Sequence, residues 1–153
     1  MCVDNDSRPP ITPIAGGSAG SVDLRLSSAD GTKFMAYAVR AAKPTGAGML
    51  VIPDVRGLHQ YYKDLADRFA EVGVDAVAID FFGRTAPSDD RSDKFEFMSH
   101  VGQTTPETLQ ADIAAAAGYL RGKEGGQVRS LFSVGFCFGG ALSYLQAASR
   151  RSR

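Results

Sequence analysis

Residues 128–148 read VRSLFSVGFCFGGALSYLQAA, and this stretch decides the fold. The apolar run from Val128 to Val134 predicts a strand buried on both faces, and the run from Ala141 to Ala148 predicts a helix. A Gly-x-Cys-x-Gly-Gly turn lies between them and holds Cys137 at its apex. A tight turn of this kind exposes one side chain at the carboxyl end of a strand and at the start of a helix.

The turn favours a catalytic role for Cys137. Gly135 and Gly139 leave room for a strained backbone, and Gly140 allows close packing of the helix. The free N–H groups and positive end of that helix stabilise a thiolate. A lone cysteine is more often a small buried hydrophobe, but its place in this turn favours a nucleophile. A dinucleotide loop is disfavoured, because Cys137 stands where such a loop needs its second glycine.

The sequence before the turn predicts an α/β fold. Residues 1–20 are rich in Pro, Gly, Ser and Asp and are expected to be a flexible arm, followed by one partial domain over 21–153. The domain should open with a β-hairpin and continue as β-α-β-α-β-α, in a mostly parallel sheet with helices on both faces. The elements expected are strands near 22–26, 34–39, 49–52 and 74–79, helices near 58–72 and 106–121, and a short helix near 95–100.

Composition excludes several classes of function. Seventeen Lys and Arg balance seventeen Asp and Glu, so no basic surface for nucleic acid is expected. No apolar run approaches the roughly 20 residues of a membrane span, and residues 1–20 lack a signal-peptide core, which favours a cytoplasmic location. Cys2 and Cys137 lack metal-ligand spacing and a plausible bridging partner, so we expect two free thiols, no metal and no cofactor.

Two segments resemble the dienelactone hydrolase family of cysteine-dependent α/β-hydrolases. They are VGFCFGGALSYL around Cys137 and VIPDVRGLHQYYKDLADRFAEVGVDAVAIDFFGRTAP over 51–87, and the resemblance extends over about residues 22–148. It implies hydrolysis of an ester or lactone, a small molecule, through a cysteine nucleophile. The chain would represent the N-terminal part of such an enzyme.

The resemblance also implies roles for four further residues. The backbone N–H groups of Val55 and Phe138 would form the oxyanion hole, and Arg84 in FGRTAP would grip a substrate carboxylate. Asp54 stands where family members often carry a glutamate that interacts with the cysteine. Alternatives remain, since Asp54 could cap the following helix and Arg84 could be a solvated loop charge. Arg56 could pair with Asp54.

The sequence after Cys137 departs from the family. The acid and histidine of the triad should follow the nucleophile, yet residues 138–153 contain no Asp, Glu or His. His59 and His100 precede it and are expected to be ordinary surface or packing residues. A truncated, inactive product or half-domain is therefore the alternative to an active hydrolase. It would expose the edge of strand 128–134 and associate with itself. A third alternative, a redox-sensing thiol protein, lacks a resolving partner for Cys137.

Overall fold

The computed structural model describes residues 2–149, and Arg150–Arg153 at the basic end of the predicted domain lie outside the described residues. The strands are β1 (Ser18–Ser27), β2 (Lys33–Ala41), β3 (Ala47–Ile52), β4 (Val74–Ile79) and β5 (Ser130–Gly135). The helices are α1 (Gln60–Glu71), α2 (Phe97–Val101), α3 (Pro106–Arg121) and α4 (Phe138–Ser149). The predicted order of a hairpin followed by β-α-β-α-β-α is confirmed, with α2 as the short helix before α3.

All five strands form one sheet in the order β1-β2-β4-β3-β5. The β1–β2 hairpin and the β2–β4 pair are antiparallel, whereas β3 pairs parallel with both β4 and β5. The α1 and α3 crossovers therefore connect parallel strands of one sheet, as such connections require. The carboxyl ends of β3, β4 and β5 meet at one edge of the sheet, where the candidate site lies.

Helices cover both faces of the sheet. On one face α3 and α4 pack with Leu109, Ile113, Leu120 and Leu142 against a cluster that includes Phe34. On the other face α1 packs with Tyr61, Tyr62, Leu65, Ala66 and Ala70. Thr105 and Pro106 begin α3 as the sequence predicts, because the Thr105 hydroxyl accepts the Thr108 N–H and Pro106 needs no donor there.

Three expectations about elements need correction. Helix α4 begins at Phe138 and not at Ala141, because the chain becomes helical directly after Cys137 and carries two glycines through its first turn. Strand β5 is not buried on both faces, since Phe132 is 55% exposed. At the end of α1, Val72 is 60% exposed and not part of the core. Gly73 ends that helix with a φ of 94°, which is the left-handed conformation expected of a terminating glycine.

Strand β5 is an edge strand within residues 2–149, with β3 on one side and no strand on the other. A cleft of about 630 Å³ runs along it between α3 and α4 and is lined by Leu131, Phe132, Tyr144 and Ala147 among others. Tyr144 and Leu145 of α4 are also strongly exposed. No helix of the described chain is both long enough and apolar enough to cross a lipid bilayer.

Candidate active site at the β5–α4 turn

Cys137 occupies a strained turn between β5 and α4. Its φ is +52°, in the left-handed region that non-glycine residues rarely adopt. A Cβ at Gly135 would clash with the Gly139 carbonyl, and a Cβ at Gly139 would clash with the carbonyls of Ile52 and Pro53. Both glycines are therefore required for the close approach of the turn to α4 and to β3. The strained backbone leaves Cys137 exposed.

The register of β3 and β5 brings Asp54 to the same edge as Cys137. Ile52 pairs with Gly135 across the two parallel strands, and the Phe136 N–H donates to the Ile52 carbonyl at 3.3 Å. Asp54 and Cys137 each lie two residues beyond that pair. Because parallel strands advance together, the two side chains belong to one end of the sheet.

Asp54 is fully buried, and its carboxylate has two backbone partners. Oδ1 accepts the Arg56 N–H at 2.8 Å, and Oδ2 accepts the Val3 N–H at 2.7 Å. It does not cap α1, which begins at Gln60 with His59 at its N-cap and no side-chain cap. The Arg56 guanidinium does not pair with Asp54 but binds the Val3 carbonyl and Asp4. Of the roles left open by the sequence, helix capping is therefore wrong.

The two candidate oxyanion-hole amides lie at the ends of the same strands. Phe138 N–H is the first amide of α4, and Val55 N–H follows Asp54 in the turn after β3. Within residues 2–149 neither amide donates to a protein acceptor. Both amides are therefore free to donate to an oxyanion, which is what an oxyanion hole requires.

Aromatic rings flank the turn on both faces of the sheet. The Phe136 ring lies 5.9 Å from Tyr61 and 5.5 Å from Tyr62, on the α1 side. The Phe138 ring lies 5.6 Å from Phe81 on the opposite side. The Tyr62 hydroxyl accepts the Asp54 N–H at 3.2 Å, and burial, with the Asp54 charge second, raises the pKa of Tyr62. Tyr62 therefore stays protonated and braces the turn that carries Asp54.

Asp80 terminates β4 at this edge and organises the neighbouring loop. Its buried carboxylate accepts the N–H groups of Leu58 and Phe82 and forms two 3.0 Å hydrogen bonds with Arg91. The Arg91 guanidinium lies over the Phe95 ring at 4.3 Å. No sequence signal marks this buried pair, because Arg91 lies in a polar run that resembles an ordinary surface loop.

Arg84 is engaged by carboxylates of its own chain. Nε donates to Asp30 at 2.9 Å and Nη1 donates to buried Asp112 at 2.7 Å. The hydrogen bond with Asp112 is the main cause of a raised pKa for Arg84, and the bond from Arg84 lowers the pKa of Asp30. Nη2 is buried and has no hydrogen-bond partner in the part of the chain that the structure describes. These contacts join the hairpin to α3 and do not bring Arg84 to Cys137.

The two histidines pack against aromatic rings. His59 is 5% exposed, its ring lies 4.7 Å from Tyr62, and neither ring nitrogen has a partner in residues 2–149. Burial lowers the pKa of His59. His100 stacks on Phe95 at 5.0 Å. Both arrangements fit packing histidines, as the sequence suggests.

The N-terminal segment lies on the site, which the sequence did not predict. Cys2 Sγ is 3.7 Å from Cys137 Sγ, so the expectation that neither cysteine has a plausible bridging partner is wrong, although both are free thiols. Strand β1 begins at Ser18, within the arm expected over 1–20. No local signal marks this contact, because its two residues are 135 positions apart.

The mixed sheet with helices on both faces and a tight glycine-rich turn between β5 and α4 is the arrangement of an α/β-hydrolase fold. The match to a family model extends over residues 34–152, and the chain belongs to the dienelactone hydrolase family.

Relatives and solved structures agree with this assignment. The Salmonella typhi protein named "Putative carboxymethylenebutenolidase" is 28% identical over 140 residues, which are 90% of this chain and 50% of that protein. The "Putative Dienelactone Hydrolase" of Klebsiella pneumoniae has a TM-score of 0.66 at 25% identity and covers 84% of this chain and 55% of that chain. Brefeldin A esterase, at 17% identity and a TM-score of 0.63, supports the fold alone. The chain spans about half the length of these relatives.

Proposed function

We propose that this chain is the nucleophile-bearing part of a hydrolase for small esters or lactones and that Cys137 is the nucleophile. The observation that carries the proposal is the φ of +52° at Cys137, which is exposed between β5 and α4. Strain at a non-glycine residue persists only where the surrounding structure imposes it, and such strain is concentrated at functional sites. Gln127, before β5, has a similar φ of 53°, but of these two residues Cys137 is the one with a nucleophilic side chain. Membership of the dienelactone hydrolase family supports the same chemistry.

The reaction would begin with attack of the Cys137 thiolate on the substrate carbonyl carbon. The carbonyl oxygen becomes an oxyanion, and the N–H groups of Phe138 and Val55 would donate to it. Collapse of this tetrahedral intermediate breaks the acyl–oxygen bond and releases an alkoxide, which in a lactone stays attached as the opened ring. The product is a thioester on Cys137, which water then hydrolyses.

Asp54 is proposed to act on the nucleophile from the end of β3. Its carboxylate is buried and is held by the N–H groups of Val3 and Arg56, so it keeps a fixed position beside the turn. Arg84 can serve a substrate carboxylate only if it exchanges Asp30 or Asp112 for the substrate.

The alternative is that these 153 residues alone do not turn over. The residues after Cys137 offer no carboxylate or imidazole, and His59 is buried against Tyr62. Hydrolysis of the thioester needs a positioned base to activate water. We therefore expect the chain to acylate once and then stop, with turnover requiring groups beyond those that it supplies.

Mixing the chain with p-nitrophenyl acetate tests both the assignment of Cys137 as the nucleophile and the expected lack of turnover. We expect a burst of one equivalent of p-nitrophenol, an intact mass increased by one acetyl group on Cys137, and no further turnover. Cys137→Ala should abolish the burst, whereas the matched variant Cys2→Ala should retain it. A burst that survives in Cys137→Ala would remove the nucleophile assignment. Sustained turnover that is lost in His59→Ala or His100→Ala would identify an upstream base.

The cytoplasmic location expected from the sequence is part of this proposal. Its support is a nucleophile that acts as a free thiol, which is the usual state of cysteine in a reducing compartment. Fractionation of cells that express the native gene would test it.

A further inference from the structure

The N-terminal segment is held at the active-site end of the sheet by hydrogen bonds to both backbone groups of one residue, Val3. Val3 donates its N–H to Asp54 at 2.7 Å, and its carbonyl accepts from Arg56 at 3.1 Å. The Val3 side chain packs against the cluster on the α1 face. Asn5 adds a hydrogen bond to the Arg91 carbonyl at 3.3 Å. These contacts determine where the preceding residue, Cys2, must lie.

Cys2 is thereby held against the nucleophile. Its thiol donates to the Cys137 sulfur across 3.7 Å. A disulfide needs about 2.05 Å between the sulfurs, so an approach of less than about 2 Å would close the gap. Cys137 is exposed to small solutes and Cys2 is half-buried. The two thiols therefore have unequal access to an oxidant.

We propose that Cys2 and Cys137 form a reversible disulfide that caps the nucleophile, and that its oxidant is a hydroperoxide. The proposal needs only a nucleophilic thiol at Cys137 and does not depend on hydrolase activity. Cys2 would then be the resolving cysteine for Cys137, which no local sequence signal indicates. The proposal also makes the segment that holds Cys2 part of the regulation of the site.

The reaction has two balanced steps. The Cys137 thiolate attacks one oxygen of R–O–O–H, so that an S–O bond forms, the O–O bond breaks and the alcohol leaves with a proton. The Cys2 sulfur then attacks the sulfenic sulfur, an S–S bond forms, the S–O bond breaks and water leaves with the Cys2 proton. Two thiols are oxidised by two electrons, and the hydroperoxide is reduced to alcohol and water.

The surroundings of the two cysteines assign them different roles, with Cys137 reacting with the oxidant and Cys2 acting as the resolving thiol. Burial, then the hydrogen bond to Cys137 and the charge of Asp54, raises the pKa of Cys2. Cys2 therefore stays protonated at neutral pH while the exposed Cys137 meets the oxidant. Once formed, the disulfide removes the sulfur that would attack a carbonyl, and a dithiol reductant restores it.

Peptide mapping tests the proposal on the 153-residue chain. After one equivalent of hydrogen peroxide and alkylation of the remaining thiols, trypsin should release peptides 1–25 and 130–150 joined by a bond that dithiothreitol breaks. A non-reducing gel should show a monomer. In urea the bond should form at least about tenfold more slowly, because the effective concentration set by the fold is lost.

Variants separate this reaction from general oxidation. Cys2→Ser should give no crosslink, and with a second equivalent of hydrogen peroxide its Cys137 should proceed from sulfenic to sulfinic acid. Arg56→Ala removes one anchor of the segment and should slow crosslinking several-fold, whereas Arg25→Ala, on β1, should not. Three results would each overturn the proposal: equal overoxidation of Cys137 in wild type and Cys2→Ser, a bond only between two chains, or crosslinking that is as fast in urea.

Discussion

At the residue scale, the two cysteines should differ in reactivity. Cys137 is exposed at the start of α4, while Cys2 is half-buried with a raised pKa caused first by burial. Limited iodoacetamide at pH 7 should therefore modify Cys137 before Cys2, since the thiolate is the reactive form. Tryptic mapping of the folded chain measures the ratio, with the chain in urea as control. Preferential labelling of Cys2 in the folded chain would contradict the nucleophile assignment.

His59 makes a second prediction at this scale. Burial lowers its pKa below 6.5, so the unfolded chain takes up the proton first as the pH falls. The contribution of neutral His59 to the free energy of unfolding is therefore fully present above the ordinary histidine pKa. It is lost as the pH falls through that value. His59→Leu should give a smaller loss of unfolding free energy between pH 7.5 and pH 5.5 than wild type, in urea titrations at each pH. An unchanged pH dependence would show that His59 is accessible to protons in the fold.

At the scale of the elements, two helical glycines form a matched pair for substitution by alanine. Gly139 in α4 contacts the carbonyls after β3, whereas Gly118 in α3 has open space where a Cβ would lie. Gly139→Ala should destabilise the chain by about 1 to 3 kcal/mol through overpacking. Gly118→Ala should stabilise it by up to about 1 kcal/mol through helix propensity. Thermal and urea unfolding measure both, and a neutral Gly139→Ala would mean that α4 can move away from β3.

Element boundaries were predictable where a local signal fixes them. Thr105 and Pro106 give the start of α3, and Val74–Ile79 is a strand by composition alone. The start of α4 was missed, because Gly139 and Gly140 ordinarily disfavour a helix and only their packing against β3 and β5 explains them. The burial of β5 was also predicted wrongly, since a run of apolar residues does not show which strand lies at an edge.

The candidate site was predictable where a local motif or the family resemblance marks a residue, and not where a contact joins distant segments. Cys137 is marked by its own turn, and Asp54 by family resemblance. Whether Asp54 caps α1 depended on where that helix begins, six residues later at Gln60. The contact of Cys2 with Cys137 depends on hydrogen bonds between segments far apart in sequence. Periodicity and composition describe neighbours along the chain and contain no information about such a contact.

At the scale of the whole molecule, the edge at β5 predicts self-association. Phe132 is 55% exposed there, beside the apolar cleft of α3 and α4. An unprotected apolar strand edge offers backbone groups to a neighbouring chain. Light scattering after size exclusion should show association at tens of micromolar.

Substitutions at the two edges of the sheet provide the control for that prediction. Phe132→Lys on β5 should reduce association, since a charged edge discourages pairing. Val22→Lys on β1 should not reduce it, although Val22 is similarly exposed at 52%. Wild type that remains a cooperative monomer would show that the edge is protected in a way that the described residues do not reveal.

The strand order also determines when each strand can join the sheet during translation. Because β3 lies between β4 and β5, the first four strands can assemble as the chain leaves the ribosome, with one side of β3 still open. That side is filled only when β5 emerges, more than seventy-five residues after Ile52. The same event places Cys137 next to Asp54. The nascent chain therefore passes through a long interval with one side of β3 unpaired, and the thiol of Cys137 acquires its surroundings only after β5 has emerged.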